Sequence, residues 1–251
     1  MKKAIRPFLT ALRFLTILPL PWLSHDDSEC FPDSVKFFAI VGLLIGLAGS
    51  IITYLLSTFL PQAVLSCVLI LYLSAISGFL HLDGVADTSD GFFSSRPKEK
   101  ILEIMRDSRT GAMGVTALVF LILFKFCALI SLPYEKLVLA VFFIPLAGRC
   151  AIVFTMNLLP YAREDGGLGL MFYKNRNREA LWVSLFVFLL AGGMVNFVIT
   201  FFSLLTLLVV VILFGTWCNR TIGGITGDTL GAVCETAETA VAVALSIYFY
   251  I

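Results

Sequence analysis

The sequence has few charged residues for its length. Asp, Glu, Lys and Arg make up 14% of its 251 residues, and the formal net charge is only +1. This composition argues against a protein that binds nucleic acid through a basic face. The six cysteines are scattered and include no Cys-x-x-Cys pair, which argues against a disulfide framework and a zinc site. Linkers, low-complexity stretches and internal repeats are also lacking, so we expect one domain over residues 1–251.

Apolar residues are abundant instead, at 59% of the chain, which is too many for a soluble domain of this size. Stretches of about 20 apolar residues recur, each able to cross a hydrocarbon core of about 30 Å. The sequence therefore predicts an all-α polytopic membrane bundle of about seven spans, at 35–60, 63–82, 111–132, 137–158, 180–198, 200–218 and 232–250. We expect the long stretch 180–218 to break at Gly192-Gly193 or Asn196.

The N-terminal segment 5–20 is shorter, carries Arg6 and Arg13, and predicts an amphipathic helix in the membrane interface. Basic residues then set the orientation. With the N-terminus in the cytoplasm, fifteen Lys and Arg fall on the cytoplasmic side and only Lys136 on the other, as the positive-inside rule requires. The polar loops 83–110, 160–179 and 219–231 are therefore expected to face the cytoplasm.

An acidic segment follows the second predicted span. Asp83, Asp87 and Asp90 are four and three residues apart, so a continuing helix places them within roughly a 60° arc of one face. Three carboxylates held that close repel one another unless a cation lies between them. Oxygen ligands without a Cys or His cage suit Mg²⁺ or Mn²⁺ better than zinc. A solvated acidic helix end at the membrane surface is the alternative interpretation.

A second polar segment, at 103–111, leads into the third predicted span. Glu103 and Asp107 are four residues apart and are expected on one helical face, with Arg106 and Arg109 beside them. Carboxylates and guanidinium groups together suit a metal-bound phosphate, because acids hold the cation and arginine binds the oxygens. Salt bridges within one helix are an equally good interpretation.

A glycine-rich segment precedes the last predicted span. The Thr226 and Thr229 hydroxyls, with bare backbone N–H groups, can bind an anion at a helix N-terminus. Asp228 and Glu235 are seven residues apart and share a helical face. Glu235 also lies at the start of a span, where ionisable side chains are costly and usually functional.

Two cationic residues lie within predicted spans. Arg149, in the fourth, is expected in the bundle interior as a partner for acids or phosphate. Lys125, in the third, is expected to extend its amine toward the membrane surface. The loop at 161–169 adds polar, glycine-rich backbone on the same side as the other motifs, where it can line or close a site.

Three long motifs occur in the order of one known family. Residues 81–91 read His-Leu-Asp-Gly-x-Ala-Asp-x-x-Asp-Gly, residues 102–111 read Leu-Glu-Ile-Met-Arg-Asp-Ser-Arg-x-Gly, and residues 223–232 read Gly-Gly-x-Thr-Gly-Asp-Thr-Leu-Gly-Ala. With Phe-Leu-Thr-x-Leu-Pro at 14–19 and Tyr-x-Arg at 161–163, they closely resemble the cobalamin synthase family, the adenosylcobinamide-GDP ribazoletransferases. The resemblance spans nearly the whole chain.

This resemblance implies a reaction. Adenosylcobinamide-GDP and α-ribazole (or its 5′-phosphate) would give adenosylcobalamin (or its 5′-phosphate) and GMP, with Mg²⁺ required. A ribose 3′-hydroxyl would attack the phosphoryl group on the aminopropanol arm, a step that needs charge neutralisation, in-line positioning and a base. The resemblance also implies a multi-pass protein of the bacterial or archaeal cell (inner) membrane. Assembly into a homo-oligomer is left open.

A looser resemblance to the CDP-alcohol phosphotransferases helps to assign roles. It is carried by Asp-x-x-Asp-Gly at 87–91 and Glu-x-x-x-Asp at 103–107, although that family has Asp where Glu103 stands and its following Arg is shifted by one here. Together the two resemblances imply Asp107, His81 and Arg109 as catalytic residues, Asp83, Asp87, Asp90 and Glu103 as metal ligands, and Arg106, Arg149, Thr226, Asp228, Thr229 and Glu235 as substrate- or phosphate-binding residues.

The rival function is an ion- or proton-coupled transporter, because charged residues within spans often mark ion paths. A transporter places its polar groups near the bilayer midplane on broken helices. Here the acids gather next to loops at one face, which favours surface chemistry on a soluble nucleotide substrate. A scaffold for other enzymes is a third class, and it would not need so many glycines and acids.

Overall fold

The computed structural model describes residues 2–20, 28–163, 168–173 and 178–251, so 164–167 and 174–177 of the predicted loop at 160–179 lie outside the described residues. The described part is a helical bundle without β-strands, apart from a single parallel bridge between Tyr161 and Ile225. Its α-helices are α1 (Lys2–Leu15), α2 (Phe31–Ser34), α3 (Phe38–Leu56), α4 (Gln62–Ala75), α5 (Leu80–Phe92), α6 (Lys98–Ile104), α7 (Ala112–Ile130), α8 (Tyr134–Leu158), α9 (Leu168–Tyr173), α10 (Arg178–Val195), α11 (Phe197–Ile222) and α12 (Gly227–Tyr250).

Six stretches of the described chain are long and apolar enough to cross a membrane, and α4 with α5 forms a bent pair that makes up to seven. This confirms the predicted all-α membrane bundle of about seven spans. The predicted break in 180–218 falls at Asn196, whose side chain accepts a hydrogen bond from the Ile199 N–H and begins α11. An N-cap of this kind satisfies one of the free N–H groups of a helix start.

The predicted span at 63–82 is wrong as a single helix. The chain bends at Gly78 and Phe79, which both have φ of +61°, and α5 turns away from α4 by 84°. A residue in the left-handed backbone conformation ends an α-helix, because the chain turns away there and the residues that follow cannot form hydrogen bonds to the carbonyls four positions earlier. Of this bent pair we treat α4 as the part within the membrane. Helix α5 lies outside it, because α5 contacts the N-terminal ends of α7 and α12.

Close packing of α3 on α8 forms the centre of the bundle. A Cβ atom at Gly42 would lie 2.7 Å from the Pro145 carbonyl oxygen, and one at Gly46 would lie 2.4 Å from that of Phe142. Small residues four apart let two helix backbones approach closely, which drives helix association where no hydrophobic effect operates. Helix α8 is therefore the most enclosed span, and it positions Arg149 in the interior.

Candidate active site

Helix α5 lies directly on the N-terminal end of α12. A Cβ atom at Gly84 would lie 2.5 Å from the carbonyl oxygen of Asp228, and one at Gly231 would lie 3.2 Å from the Cα of His81. Only glycine permits so close an approach of two backbones. The glycines of the first and third motifs thus bring the acidic segment and the glycine-rich segment into contact.

The same helix α5 is fixed to the N-terminal end of α7 through Asp90. Its carboxylate accepts hydrogen bonds from the backbone N–H of Gly111 at 2.6 Å and of Gly114 at 2.8 Å. A carboxylate at this position satisfies free N–H groups and interacts favourably with the positive end of the helix dipole. Both oxygens of Asp90 therefore hold the start of α7. The sequence predicted Asp90 as a metal ligand and did not predict this structural role.

Carboxylates surround Asp87 on the exposed side of α5. Burial, and then the negative charges of Asp83, Asp228 and Asp90, raise the pKa of Asp87 to about 7, against a smaller opposite effect of Arg163. The single-face arrangement predicted for the acidic segment is confirmed in that all three of its acids lie on one helix. Ionising them together is costly unless a cation compensates.

The donor set fits Mg²⁺, which prefers carboxylate oxygens and commonly uses only one or two of them together with waters and substrate phosphates. Among the residues that the structure describes, no three Asp, Glu, His or Cys side chains are close enough to hold one metal ion together. Asp83 and Asp87 are the acids of α5 whose oxygens do not cap a helix in this way, so they fit a site shared with a substrate phosphate best.

A cavity of about 260 Å³ opens beside these acids, between α5, α8, α9 and the start of α12. Its polar wall contains His81, Asp83, Arg163 and Asp228. Arg163 donates a hydrogen bond from Nη2 to Oδ2 of Asp228 at 2.8 Å, and this pair is mostly buried. The sequence assigned no role to Arg163 or to Tyr161, which also lines the cavity, although their loop was expected to be polar and on the same side as the other motifs.

The start of α12 is built as a capping box. The Thr226 hydroxyl accepts a hydrogen bond from the Thr229 N–H, and the Thr229 hydroxyl accepts one from the Thr226 N–H at 2.8 Å. Both threonines are fully buried. Their hydroxyls therefore stabilise the helix start in this structure, and Asp228, between them, is the group of this segment that faces the cavity.

The apolar wall of the cavity is largely aromatic. It includes Phe14 of α1, Phe38 of α3 and Phe172 of α9, and the ring centroids of Phe14 and Phe172 are 4.6 Å apart. Phe38 and Phe172 pack edge to face at 5.7 Å. Ile152 and Met156 of α8 complete this wall. Tyr161 also lines the cavity and lies against Gly169 of α9. The lining therefore combines a charged group of side chains with an apolar, mostly aromatic group.

The second motif does not form the continuous helix predicted for it. Helix α6 ends at Ile104, so Glu103 and Asp107 do not share a helical face. Glu103 is exposed and pairs with Lys100 at 2.6 Å. Asp107 binds Arg109, which donates from Nη2 at 2.6 Å and from Nε at 3.0 Å, and these hydrogen bonds lower the pKa of Asp107 to about 2. Arg106 is exposed in the same turn.

Four charged side chains form a buried ion network inside the bundle. Lys125 binds Glu235 at 2.7 Å and Glu238 at 3.0 Å, and Arg149 binds the other oxygen of Glu238. All four are at most 1% exposed, so the expectation that Lys125 reaches the membrane surface is wrong. Arg149 is in the interior as predicted, but it pairs with Glu238 while Glu235 pairs with Lys125, and neither Arg149 nor Glu235 lines the cavity of the acidic site.

His81 adjoins both the network and the cavity. Its side chain is buried, and its Nε2 atom has no hydrogen-bond partner within the part of the chain that the structure describes. An unpaired buried polar atom is unfavourable and often marks a place where a ligand or water binds. His81 thus lies where its ring can contact a molecule in the cavity.

The fold and the site define a multi-pass helical membrane protein with a carboxylate-rich, arginine-containing cavity at one end of its bundle. Comparison with known families adds its identity at the family level. The model of the cobalamin-5-phosphate synthase family matches residues 7–246, and the chain belongs to this family. This confirms the resemblance drawn from the three motifs.

Individual relatives agree over almost the full length. The chain is 36% identical to the adenosylcobinamide-GDP ribazoletransferase of Clostridium acetobutylicum over 239 residues, which cover 93% of each chain. It is 35% identical to that of Acetivibrio thermocellus over 94% of this chain, and 37% identical to that of a Roseiflexus species over 96% of it. No solved structure matches the chain.

Proposed function

We propose that this protein joins adenosylcobinamide-GDP to α-ribazole or its 5′-phosphate, giving adenosylcobalamin or its 5′-phosphate and GMP. The 3′-oxygen of the ribose forms a bond to the phosphorus carried by the aminopropanol arm, and the bond from that phosphorus to the GMP oxygen breaks. The hydroxyl proton passes to a carboxylate. Family membership and the names of the relatives support this reaction.

The observation that supports the proposal is the meeting of the first and third motifs at one cavity, with the second motif attached to the acidic helix and outside the cavity lining. Contacts through Gly84 and Gly231 bring the acidic helix to the start of α12, and Asp90 ties it to the segment that holds Asp107 and Arg109. Acids and an arginine at one cavity, with further arginines on the attached second motif, supply what phosphoryl transfer requires, namely positioning and stabilisation of charge.

In this proposal Asp83 and Asp87 would hold Mg²⁺, which would supply charge neutralisation for the transferred phosphoryl group. Asp90 instead holds the start of α7, and Glu103 pairs with Lys100 on α6. Arg163, Arg109 and Arg106 bind phosphate oxygens. Thr226, Thr229, Arg149 and Glu235 act indirectly, by fixing α12 where Asp228 meets the substrate.

Asp107 is the proposed base, and it can act as a base only when its ion pair with Arg109 opens. A carboxylate with a pKa near 2 is a weak base, because it gains little by accepting a proton. When substrate phosphate draws the Arg109 guanidinium away, the pKa of Asp107 returns toward its ordinary value and its basicity rises. Binding of the GDP-bearing substrate thus prepares the base.

We also propose that the cavity faces the cytoplasm of a prokaryotic cell. The motif loops at this end carry most of the lysines and arginines, while Lys136 lies at the start of α8, at the opposite end. Cytoplasmic segments of membrane proteins carry such an excess of basic residues. Adenosylcobinamide-GDP and α-ribazole are water-soluble, so both can reach a cavity that opens to the cytoplasm.

The proposal is tested with purified protein in detergent, by following GMP release with both substrates and Mg²⁺. Release should stop without α-ribazole or with a chelator. Asp107→Asn should slow single-turnover transfer by roughly 10²–10⁴-fold and leave binding of a non-reactive GDP-bearing analogue intact, whereas Arg109→Ala should weaken that binding. Loss of Mg²⁺-dependent binding in Asp107→Asn would make it a metal ligand, and a wild-type rate would exclude both roles.

A further inference from the structure

The lining of the cavity beside the acidic site contains an ion-paired polar group and a cluster of aromatic rings, joined by Tyr161, and this composition limits what can bind in it. Asp83, Asp228 and Arg163 form the polar group, where hydroxyl and phosphate groups find partners. The apolar group has the rings of Phe14, Phe38 and Phe172 with the side chains of Ile152 and Met156. A ligand with a polar part and a flat apolar part would satisfy both groups.

The size of the cavity separates the parts of the proposed substrates. At about 260 Å³ it has room for a bicyclic base and a sugar, and not for a corrin ring with its amide side chains. The corrinoid therefore remains outside, and the enclosed ligand is one of the two nucleosides: guanosine of the donor or α-ribazole, the acceptor.

The apolar wall decides between these two. The outer edge of guanine carries an oxygen, ring nitrogens and an amino group, and burying them without partners against phenylalanine, isoleucine and methionine side chains is unfavourable. The base of α-ribazole is dimethylbenzimidazole, whose outer edge carries only two methyl groups. Flat rings also stack favourably on aromatic side chains.

We infer that the aromatic wall of this cavity binds the base of the acceptor nucleoside and makes the enzyme select a methylated benzimidazole over a purine. The inference rests on the proposed function for the identity of the acceptor. With the base against Phe172 and Met156, the sugar lies toward Asp83 and Asp228, and its hydroxyl faces the acidic face of α5. The guanosine of the donor stays in the polar region outside this wall.

The test compares α-ribazole with the corresponding α-riboside of adenine, measured as kcat/KM and as binding by titration calorimetry. The wild-type protein should favour α-ribazole by about tenfold or more, which is the discrimination that a hydrophobic pocket achieves. Met156→Gln, which places an amide in the apolar wall, should raise the KM for α-ribazole about tenfold and bring the two bases close to parity. The KM for adenosylcobinamide-GDP should not change.

Met194→Gln is the matched control, because Met194 lies at the exposed end of α10 and does not line the cavity. It should keep the wild-type preference. Phe172→Leu is a second variant with the same expected loss, used if Met156→Gln fails to elute as a single species in gel filtration.

Equal use of both bases by the wild type, or an unchanged preference in both cavity variants, would overturn the inference. Absence of GMP release with either base would refute the proposed function instead. In that case calorimetry still decides the inference: α-ribazole binding that Met156→Gln weakens supports it, and absence of binding by the wild type overturns it.

Discussion

The carboxylate of Asp90 accepts a hydrogen bond of 2.6 Å from the backbone N–H of Gly111, 21 residues further along the chain, and this contact joins the first two motifs. A second hydrogen bond, to Gly114, engages its other oxygen. Asp90 thus holds the N-terminal end of α7 against the acidic helix. The three acids of α5 consequently have different roles, with Asp90 holding α7 and Asp83 and Asp87 left for a ligand, although their spacing in the sequence makes them look equivalent.

Asp90→Ala should reduce both activity and stability. Loss of a capping side chain typically costs about 0.5–2 kcal/mol, and here two backbone N–H groups lose their partner. The midpoint of thermal unfolding in detergent should fall by several degrees, in proportion to that loss. Asp87→Asn is the control, since it removes a charge that three other carboxylates repel, and it should abolish activity with an unchanged or higher midpoint. Equal midpoints in the two variants would show that the Asp90 cap does not matter.

The raised pKa of Asp87 predicts a pH-dependent response to Mg²⁺. Its ordinary value is 3.8 and its value in the folded protein is about 7, so its contribution to stability is complete below pH 3.8 and is lost as the pH rises through about 7. Mg²⁺ binds the ionised form and should restore stability, so the ion should raise the unfolding midpoint more at pH 8 than at pH 6. In Asp87→Asn this difference should disappear. A response of equal size at both pH values in the wild type would argue against Asp87 as a ligand.

Arg163 should contribute mainly to substrate binding. Its guanidinium, held by Asp228 at the cavity wall, is well placed to bind a phosphate oxygen. Hydrogen bonds to charged groups contribute about 1.5–3 kcal/mol, so Arg163→Met should raise the KM for the GDP-bearing substrate by more than tenfold. Arg163→Lys keeps the charge without the planar guanidinium, so its KM should lie between those of the wild type and Arg163→Met. A changed kcat with an unchanged KM would contradict a role in binding.

The buried ion network predicts a strongly non-additive pair of substitutions. Lys125→Met leaves Glu235 without its partner, and breaking a buried pair in this way destabilises a protein by about 3–5 kcal/mol. Adding Glu235→Gln removes the orphaned charge and leaves Arg149 paired with Glu238, so the double variant should be more stable than Lys125→Met. Unfolding midpoints measure this, with Lys100→Met on exposed α6 as a nearly neutral control. Additive losses would mean that the pairs are independent.

Much of this architecture could be predicted from the sequence, because hydrophobic run length reports directly on membrane helices. The single face of Asp83, Asp87 and Asp90 followed from spacing alone, and Asn196 was one of the two places where the long apolar stretch was expected to break. The bend at Gly78 and Phe79 could not be foreseen in this way. A left-handed phenylalanine has no local signature within an apolar run, and tertiary packing fixes it.

Partners of charged residues were the least predictable feature. Lys125 and Glu235 are 110 residues apart, and periodicity within each helix cannot show that two helices turn these residues toward each other. The pairing of Arg109 with Asp107 depends on the end of α6, which an unbroken helical pattern hides. Arg163 could not be recognised as a site residue from the sequence, because it reaches the cavity through a contact between its loop and the segment before α12 that forms only in the folded chain.

The most direct test of the central claim is to quantify both products by mass spectrometry after incubating the purified protein with adenosylcobinamide-GDP, α-ribazole and Mg²⁺. The account predicts adenosylcobalamin and GMP in equal amounts from the wild type, and neither product from Asp87→Asn protein that folds normally. Formation of both products by Asp87→Asn at the wild-type rate, or no product from the wild type, would contradict it.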